Sequence, residues 1–352
     1  MGQMIELIDQ TVDEGLNLGL AAQNIKSTLQ IIKKYSVETV EISLCNLEKS
    51  SIDFPRDTIK NLLRCKVNAS AQEIVKAKQI GFSKITVNWS HSYEESSLLN
   101  LKNVLCEAKN AFQEVYIYIQ NASSFTLEEL SCYFEIILSY KIKGFIYGDE
   151  DSSLEPLKVY TNMKTLKRLI PCMLEFHGHN GYGLATANSL AALKAGIVNV
   201  STSVSGIGFH GHAAMEEVLM AAKHLWKWYQ VPSGKSIAPD FAKLLAYMGI
   251  SLPGDKAIIG NNVFAHESGI HVDGVFKNSL LYEVIKPEEV GLTRKLVIGK
   301  HSGIASVKAK FLQWNINLDE EKAVEMLNNI KEIAVAQKGA LSDEQLHKLY
   351  AS

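Results

Sequence analysis

The strongest constraint on the fold is a repeat in which short apolar or β-branched runs alternate with segments that carry apolar residues at helical spacing. Eight such runs occur, at residues 5–12, 37–44, 65–70, 84–89, 114–120, 142–148, 172–176 and 198–204. Eight strand–helix units within about 200 residues predict an α/β fold of the (β/α)8 TIM barrel type. A doubly wound open sheet is the competing fold. It is less favoured because no glycine-rich phosphate-binding motif follows the first run.

The pattern changes beyond residue 230. Segment 231–310 opens with a linker-like stretch and continues as an irregular region rich in glycine and histidine, and segment 311–352 returns to helical spacing. We therefore expect a barrel domain of catalytic type at 1–230, a linker and accessory subdomain at 231–310, and a C-terminal helical segment at 311–352. The accessory part is expected to be small and mostly helical. Ser342, followed by Glu344 and Gln345, predicts the start of a last helix.

Composition narrows the classes of partner. The 352 residues carry a formal net charge of −2, with 47% hydrophobic and 21% charged residues. No basic surface for nucleic acid is expected, so small neutral or anionic molecules are the more natural partners. The five cysteines are widely spaced without a C-x-x-C pair, which indicates reduced thiols and a cytoplasmic location. No signal-peptide pattern or membrane-length apolar run is present in the sequence, so no membrane association is expected.

Two histidines follow the seventh run, in the stretch LEFHGHNGY at residues 174–182. Alternate residues of a strand share a face, so His177 and His179 point the same way from its carboxyl end. An H-x-H pair by itself has a second explanation, in which one histidine is a satisfied polar group and the other a loop residue. The position within the fold favours a metal site, because a barrel carries its chemistry where strands end and loops begin.

Three stretches carry a resemblance to a known family: FHGHNGYGLATANSLAALKAG, AAMEEVLMAAK, and NNVFAHESGIHVDGVFKNSLLYEVIKPEEVGLTRKLVIGKHSG. They resemble the homocitrate synthase and 2-isopropylmalate synthase family, which belongs with the HMG-CoA lyases to a wider group of metal-dependent barrels. The similarity runs from about residue 5 to residue 310. It implies a cytoplasmic acyltransferase that condenses an acyl-CoA, expected to be acetyl-CoA, with a 2-oxo acid in a Claisen-type reaction. A divalent metal ion (zinc, cobalt, manganese or magnesium) is the implied cofactor. The implied assembly is a homodimer or a heteromer with a related subunit.

The resemblance also implies roles for individual positions. The metal-ligand positions of the family fall on Glu14, His177, His179 and His212. The substrate-binding positions fall on Asp13, Asn17 and Gln120. The catalytic positions fall on Glu150, and on His271 and Tyr282, for which the family implies proton transfer and acyl-CoA binding. Further motif residues are His266, Glu267 and His301, for which a structural role in holding loops is equally open.

Four of these positions depart from the family pattern. Asp13 stands where the family has an arginine that polarises the substrate, so the local charge is reversed. Gln120 replaces an acidic residue. Glu150 replaces a threonine that contacts the 2-oxo acid, and its negative charge disfavours an anionic substrate. His212 replaces an asparagine ligand, which shifts the preference of the site toward zinc, cobalt or iron over magnesium.

Three readings of the function follow from these departures. The first is a working condensing enzyme, closest to homocitrate synthase because the chain is too short for the long C-terminal feedback domain of leucine-pathway synthases. The second is a catalytically impaired partner or regulatory subunit of such an enzyme. The third is a lyase or aldolase in which Glu150 or Asp13 acts as a new base. A subunit with a purely structural role does not require Glu14, His177 and His179. The presence of these three residues therefore favours metal chemistry.

Overall fold

The computed structural model describes residues 5–50, 52, 54–90, 94–170, 172–228, 235–267 and 283–351. The chain forms two compact units. The first comprises residues 1–232 and 240–251, and the second comprises residues 233–239 and 252–352.

The first unit contains a closed barrel of eight parallel strands, which lie side by side in the order in which they occur along the chain. The strands are β1 (Glu6–Asp9), β2 (Val37–Ser43), β3 (Leu63–Asn68), β4 (Lys84–Ser90), β5 (Glu114–Gln120), β6 (Gly144–Asp149), β7 (Met173–Gly178) and β8 (Asn199–Thr202). Strand β1 pairs with both β2 and β8, which closes the ring. Each of the eight predicted runs overlaps one of these strands, so the prediction of a (β/α)8 barrel is confirmed.

Helices follow the strands and cover the outside of a barrel in this fold. They are α1 (Thr11–Asn17), α2 (Ala22–Ile32), α3 (Leu44–Ser50), α4 (Arg56–Asn61), α5 (Ala71–Ile80), α6 (Glu95–Ala111), α7 (Cys132–Ser139), α8 (Pro156–Leu169), α9 (Ala185–Lys194), α10 (Met215–Trp226) and α11 (Ile237–Tyr247). In α2 the residues Ile25, Leu29 and Ile32 are buried. Their spacing of three to four residues places one apolar face toward the core.

The first strand ends earlier than its apolar pattern predicts. The predicted run extends to Val12, but β1 ends at Asp9 and α1 begins at Thr11. A carboxylate oxygen of Asp9 accepts a hydrogen bond from the backbone N–H of Val12 at 3.2 Å, which satisfies one of the free donors at the start of α1. Val12 is buried in a helix, where an apolar residue fits as well as in a strand.

The interior of the barrel holds a charged network centred on Arg64, whose side chain is 1% exposed. Its Nε donates to Glu41 at 2.7 Å, and its two terminal nitrogens donate to Glu175 at 2.8 and 3.0 Å. Thr86 and Ser201 donate to the same two carboxylates. Burial alone would raise the pKa of Glu41, but the adjacent Arg64 guanidinium outweighs it and leaves that pKa below its usual range.

The second unit is mostly helical and has its own apolar core. Its elements are β9 (Ala265–His266), β10 (Lys295–Leu296), α12 (Pro287–Val290), α13 (Ile304–Leu312), α14 (Glu320–Gln337) and α15 (Asp343–Ala351). Buried residues of α13, α14 and α15, among them Phe311, Ile330 and Leu346, pack into one cluster. Within the described residues, no helix combines the length and the hydropathy that crossing a bilayer requires.

The predicted helix cap at Ser342 is confirmed. The backbone N–H of Gln345 donates to Ser342 Oγ at 3.2 Å, and the Gln345 side chain accepts from the backbone N–H of Ser342 at 2.8 Å. These reciprocal bonds form a capping box at the start of α15.

Candidate metal centre

Three histidines meet at the carboxyl end of the barrel. Strand β7 carries His177 and ends at Gly178, and His179 follows directly. His212 comes from the loop after β8 and forms an isolated antiparallel bridge with His179. The ring centres lie 5.2 Å apart for His177 and His179, 5.2 Å for His177 and His212, and 4.7 Å for His179 and His212.

Each of the three histidines offers one nitrogen, and these ligand atoms all lie within 4.8 Å of one another. That spacing lets the three side chains hold a single ion. His177 and His212 are 2% and 3% exposed, and their Nδ1 atoms are buried without a hydrogen-bond partner among the described residues. Buried polar atoms are normally satisfied, so the two orphaned nitrogens are an observation that a bound ion explains.

The electrostatics of the cluster also suit a metal. Burial, reinforced by the neighbouring histidines, holds the pKa of His177 well below its usual range and lowers the pKa of His179 to about 4. The imidazoles of His177 and His179 are therefore neutral near pH 7 and present the lone pairs that metals bind. His179 Nδ1 lies 3.1 Å from the backbone oxygen of Phe209, a contact that orients the ring.

Glu14 brings a carboxylate to the same place from helix α1. Its Oε1 lies 3.1 Å from His212 Nε2. Gly208, in the loop that carries His212, makes this approach possible. A Cβ at that position would meet His212 Nε2 at 2.7 Å and the Glu14 carboxyl carbon at 3.0 Å, and the positive φ of 137° also favours glycine. The structure thus brings together all four residues that the sequence assigns to the metal.

Asp13, next to Glu14, is engaged in local hydrogen bonds. Its Oδ1 accepts from the backbone N–H and the hydroxyl of Ser43, both at 2.9 Å, and from the Asn46 side chain at 2.9 Å. These donors belong to the end of β2 and the start of α3. Asp13 therefore ties α1 to the β2–α3 junction, and its assigned role in substrate binding stays a prediction.

The other predicted residues of the barrel are spread around its mouth. Glu150 accepts hydrogen bonds from the Tyr118 hydroxyl and from the backbone N–H of Asn121. Gln120 accepts from the hydroxyl of Ser90. Asn17 is exposed at the last position of α1. His271 and Tyr282 lie outside the described residues, and their assigned roles stay predictions.

The accessory motif residues that are described have structural partners. Glu267 accepts from the backbone N–H of His301 at 3.0 Å, and its backbone oxygen accepts from the hydroxyl of Ser302. His266 Nε2 lies 3.6 Å from a carboxylate oxygen of Glu283, which is beyond hydrogen-bond distance. The hydrogen bonds of Glu267 support the reading in which such residues hold irregular segments together.

Sequence reasoning missed two residues at the barrel mouth. The Tyr118 ring lies 5.3 Å from the His177 ring in an edge-on contact, and the Lys66 ammonium lies 4.3 Å from the centre of the Tyr118 ring on β5. For Lys66 the sequence did carry a signal. Arg64 and Lys66 are two residues apart in β3, so their side chains share the inward face of the strand.

Comparisons with known proteins identify the family of the chain. A family model described as HMGL-like matches residues 5–237, about two thirds of the chain. The chain belongs to this HMGL-like family. A second model, homocitrate synthase post-HMGL domain-like, matches residues 258–338.

Relatives within this family carry the names of synthases. The 2-isopropylmalate synthase 2 of Caldanaerobacter subterraneus is 36% identical over 326 residues, which cover 89% of this chain and 82% of that protein. The homocitrate synthase 1 of Nostoc is 40% identical over 213 residues, which cover 58% of this chain and 55% of that protein. The latter match thus spans little more than half of the relative.

Solved structures share the fold. The hydroxymethylglutaryl-CoA lyase of Pseudomonas aeruginosa superposes with a TM-score of 0.55 at 15% identity, covering 70% of this chain and 93% of that one. At this level of identity the likeness concerns the barrel architecture alone.

Proposed function

We propose that this HMGL-like chain catalyses the metal-dependent condensation of an acyl-CoA, acetyl-CoA being the expected donor, with a 2-oxo acid. The observation that carries the proposal is the cluster of Glu14 with His177, His179 and His212 at the carboxyl end of the barrel. The synthase names of its relatives support the reaction class. Cytoplasmic location and a dimeric assembly, with itself or with a related subunit, belong to the same proposal.

The four clustered residues would hold a divalent ion of the zinc, cobalt, manganese or magnesium group. When bound, such an ion supplies a Lewis acid that polarises the ketone of the 2-oxo acid. Burial keeps His177 and His179 neutral and so able to serve as ligands, and the Phe209 backbone oxygen fixes the His179 ring. His271 and Tyr282 are proposed to move the proton of the acyl-CoA methyl group, a role that rests on the motif match.

A catalytically impaired partner subunit is the second candidate. The observation that favours it is Asp13, which stands at the family's arginine position with its carboxylate bound to Ser43 and Asn46. A carboxylate there cannot stabilise a developing alkoxide by charge.

The deciding experiment is release of free CoA thiol from acetyl-CoA by the purified full chain. The assay is run with each of the four metals and with 2-oxoglutarate, 2-oxoisovalerate, pyruvate and oxaloacetate. We expect metal-dependent turnover with at least one acid. Absence of turnover with every acid, in protein that is folded by circular dichroism and loaded with metal, would refute the condensing enzyme and leave the partner subunit.

The metal site has a test that does not depend on turnover. His177→Ala should lower the metal content of protein dialysed against zinc by at least about tenfold, because one of the buried ligands is lost. His347→Ala, in the exposed part of α15, is the matched control and should retain its metal. Equal metal content in both variants would show that the ion, if bound, lies elsewhere.

A further inference from the structure

One wall of the barrel mouth, beside His177, is built by a tyrosine and a glutamate. The Tyr118 ring contacts His177 edge-on, and the Tyr118 hydroxyl donates to Glu150. The second carboxylate oxygen of Glu150 accepts from the backbone N–H of Asn121. The negative charge of Glu150 is therefore fixed in place by hydrogen bonds rather than mobile at the end of a free side chain.

Gly148 shows how closely this wall is packed against β6. A Cβ at Gly148 would meet Glu150 Oε2 at 2.8 Å and the Tyr118 hydroxyl at 2.9 Å. On β7 the direct neighbour of Gly148 is His177. The glutamate and the tyrosine thus occupy the space above the end of β6, next to the strand position that carries a metal ligand.

Lys66 brings a positive side chain to this wall. Lys66 lies over the face of the Tyr118 ring, at 4.3 Å from its centre. Because the Tyr118 ring centre lies 5.3 Å from the His177 ring centre, the Lys66 ammonium lies within about 10 Å of the His177 ring. In the described part of the chain, Lys66 is the only lysine or arginine among the last three residues of the barrel strands and the loops that lead from them to the next helix.

Negative charge dominates the mouth. Asp13, Glu14 and Glu150 bring carboxyl groups to this end of the barrel, and Asp9 and Asp149 end β1 and β6, whereas Lys66 contributes one ammonium. A 2-oxo acid with one carboxylate adds one negative charge, and an acid with a second carboxylate adds two, to a barrel mouth that already holds Glu150. Unit charges roughly 8 Å apart in a site of effective dielectric about 20 alter binding by about thirtyfold.

We propose, on the basis of the function proposed above, that this site selects 2-oxo acids with a single carboxylate over those with a second one. Glu150 is the specificity-determining residue, and Lys66 partly offsets its charge. The preferred substrates are then 2-oxo acids with an uncharged side chain.

The test is calorimetric binding of pyruvate, 2-oxoisovalerate and 2-oxoglutarate to the zinc-loaded full chain. We expect the two monocarboxylates to bind at least about tenfold more tightly than 2-oxoglutarate. Glu150→Gln keeps the shape of the side chain, and its amide oxygen can still accept from the Asn121 N–H while its NH2 group donates to the Tyr118 hydroxyl. This variant should shrink the ratio about tenfold. Lys66→Met should widen the ratio, so the two variants shift selectivity in opposite directions. Asp151→Asn, an equal charge change at the exposed neighbouring residue, is the matched control and should leave the ratio unchanged.

Equal or tighter binding of 2-oxoglutarate to the unsubstituted chain would overturn the proposal. So would equal ratios in Glu150→Gln and Asp151→Asn, or failure of all three acids to bind. Thermal unfolding of each variant verifies that it is folded, and if Glu150→Gln is not, the Lys66→Met ratio decides. Selective binding without CoA release would refute the condensing reaction but support the selection, whereas CoA release without selectivity would refute only the selection.

Discussion

Replacing Arg64 by methionine is expected to destabilise the barrel strongly, because it leaves two carboxylates buried without their shared cation. Arg64, Glu41 and Glu175 are each at most 1% exposed, and three nitrogen–oxygen contacts of 2.7 to 3.0 Å join them. Removing one partner of such a buried network costs about 3–5 kcal/mol. We therefore expect Arg64→Met to lose about 4 kcal/mol of the free energy of unfolding at pH 7.5.

The loss should depend on pH with a defined sign. In the parent chain the folded pKa of Glu41 is lowered, so its contribution is present above the unfolded pKa and is lost as pH falls. In Arg64→Met the unpaired carboxyls gain a raised pKa, so the folded variant takes up protons and becomes more stable as pH falls toward about 5. At both pH 7.5 and pH 5.5 the parent lies above the unfolded pKa of Glu41 and keeps this contribution. The gain of the variant therefore makes the gap between parent and variant smaller at pH 5.5 than at pH 7.5.

Urea unfolding followed by far-ultraviolet circular dichroism at the two pH values measures this gap. Arg56→Met, which removes an exposed arginine of α4, is the matched control and should change stability by less than about 0.5 kcal/mol. The triple variant R64M/E41Q/E175Q removes the charges together and should recover most of the loss. A gap below about 1 kcal/mol at pH 7.5, or one that is unchanged at pH 5.5, would refute the reasoning.

Three further predictions concern the first and last βα units. Burial raises the pKa of Asp9 to about 6, so the folded state favours the protonated carboxyl and loses stability as pH rises from about 4 to about 6. Asp9→Asn removes this titration and should raise the free energy of unfolding at pH 7 by up to about 3 kcal/mol. Urea titrations of the variant at several pH values should show a flatter pH dependence than those of the parent. Asp13→Ala removes the acceptor of three donors and should lower thermal stability by about 1–3 kcal/mol, as calorimetry would show. Gly208→Ala should displace His212 or Glu14 and weaken zinc binding by about tenfold in competition with a chelator, while Gly303→Ala, in open space, should not.

The sequence predicted the barrel because strand and helix periods are local properties of a chain. It placed β5 at 114–120, as observed. The predicted first strand extended through Val12, because a buried apolar residue is equally compatible with a strand and with a helix. The hydrogen bond from the Val12 N–H to Asp9 marks the start of the helix instead. Ends of elements depend on such single hydrogen bonds, which hydrophobic patterning does not encode.

The candidate metal residues were predictable from two sources: the strand pattern pointed to His177 and His179, and the family resemblance supplied Glu14 and His212. The wall beside His177 and the lysine that faces it were not predictable in the same way. Lys66 and Tyr118 are ordinary strand residues until the register of β3, β4 and β5 places one over the other. Glu150 was recognised as a departure from the family, but its partners depend on the loop after β5, whose Asn121 has a positive φ of 46°.

The contact between Glu14 and His212 spans 198 residues of sequence and lies at the seam where β1 and β8 close the ring. A ligand that binds only the native state stabilises it by an amount that grows with the logarithm of its free concentration over its dissociation constant. An ion bound to Glu14 and His212 would therefore stabilise the pairing of β1 with β8. Removal of the ion would favour separation of these two strands before the rest of the barrel opens. Hydrogen exchange of the β1 and β8 amides would report on that opening, and it would make the metal a participant in folding as well as in chemistry.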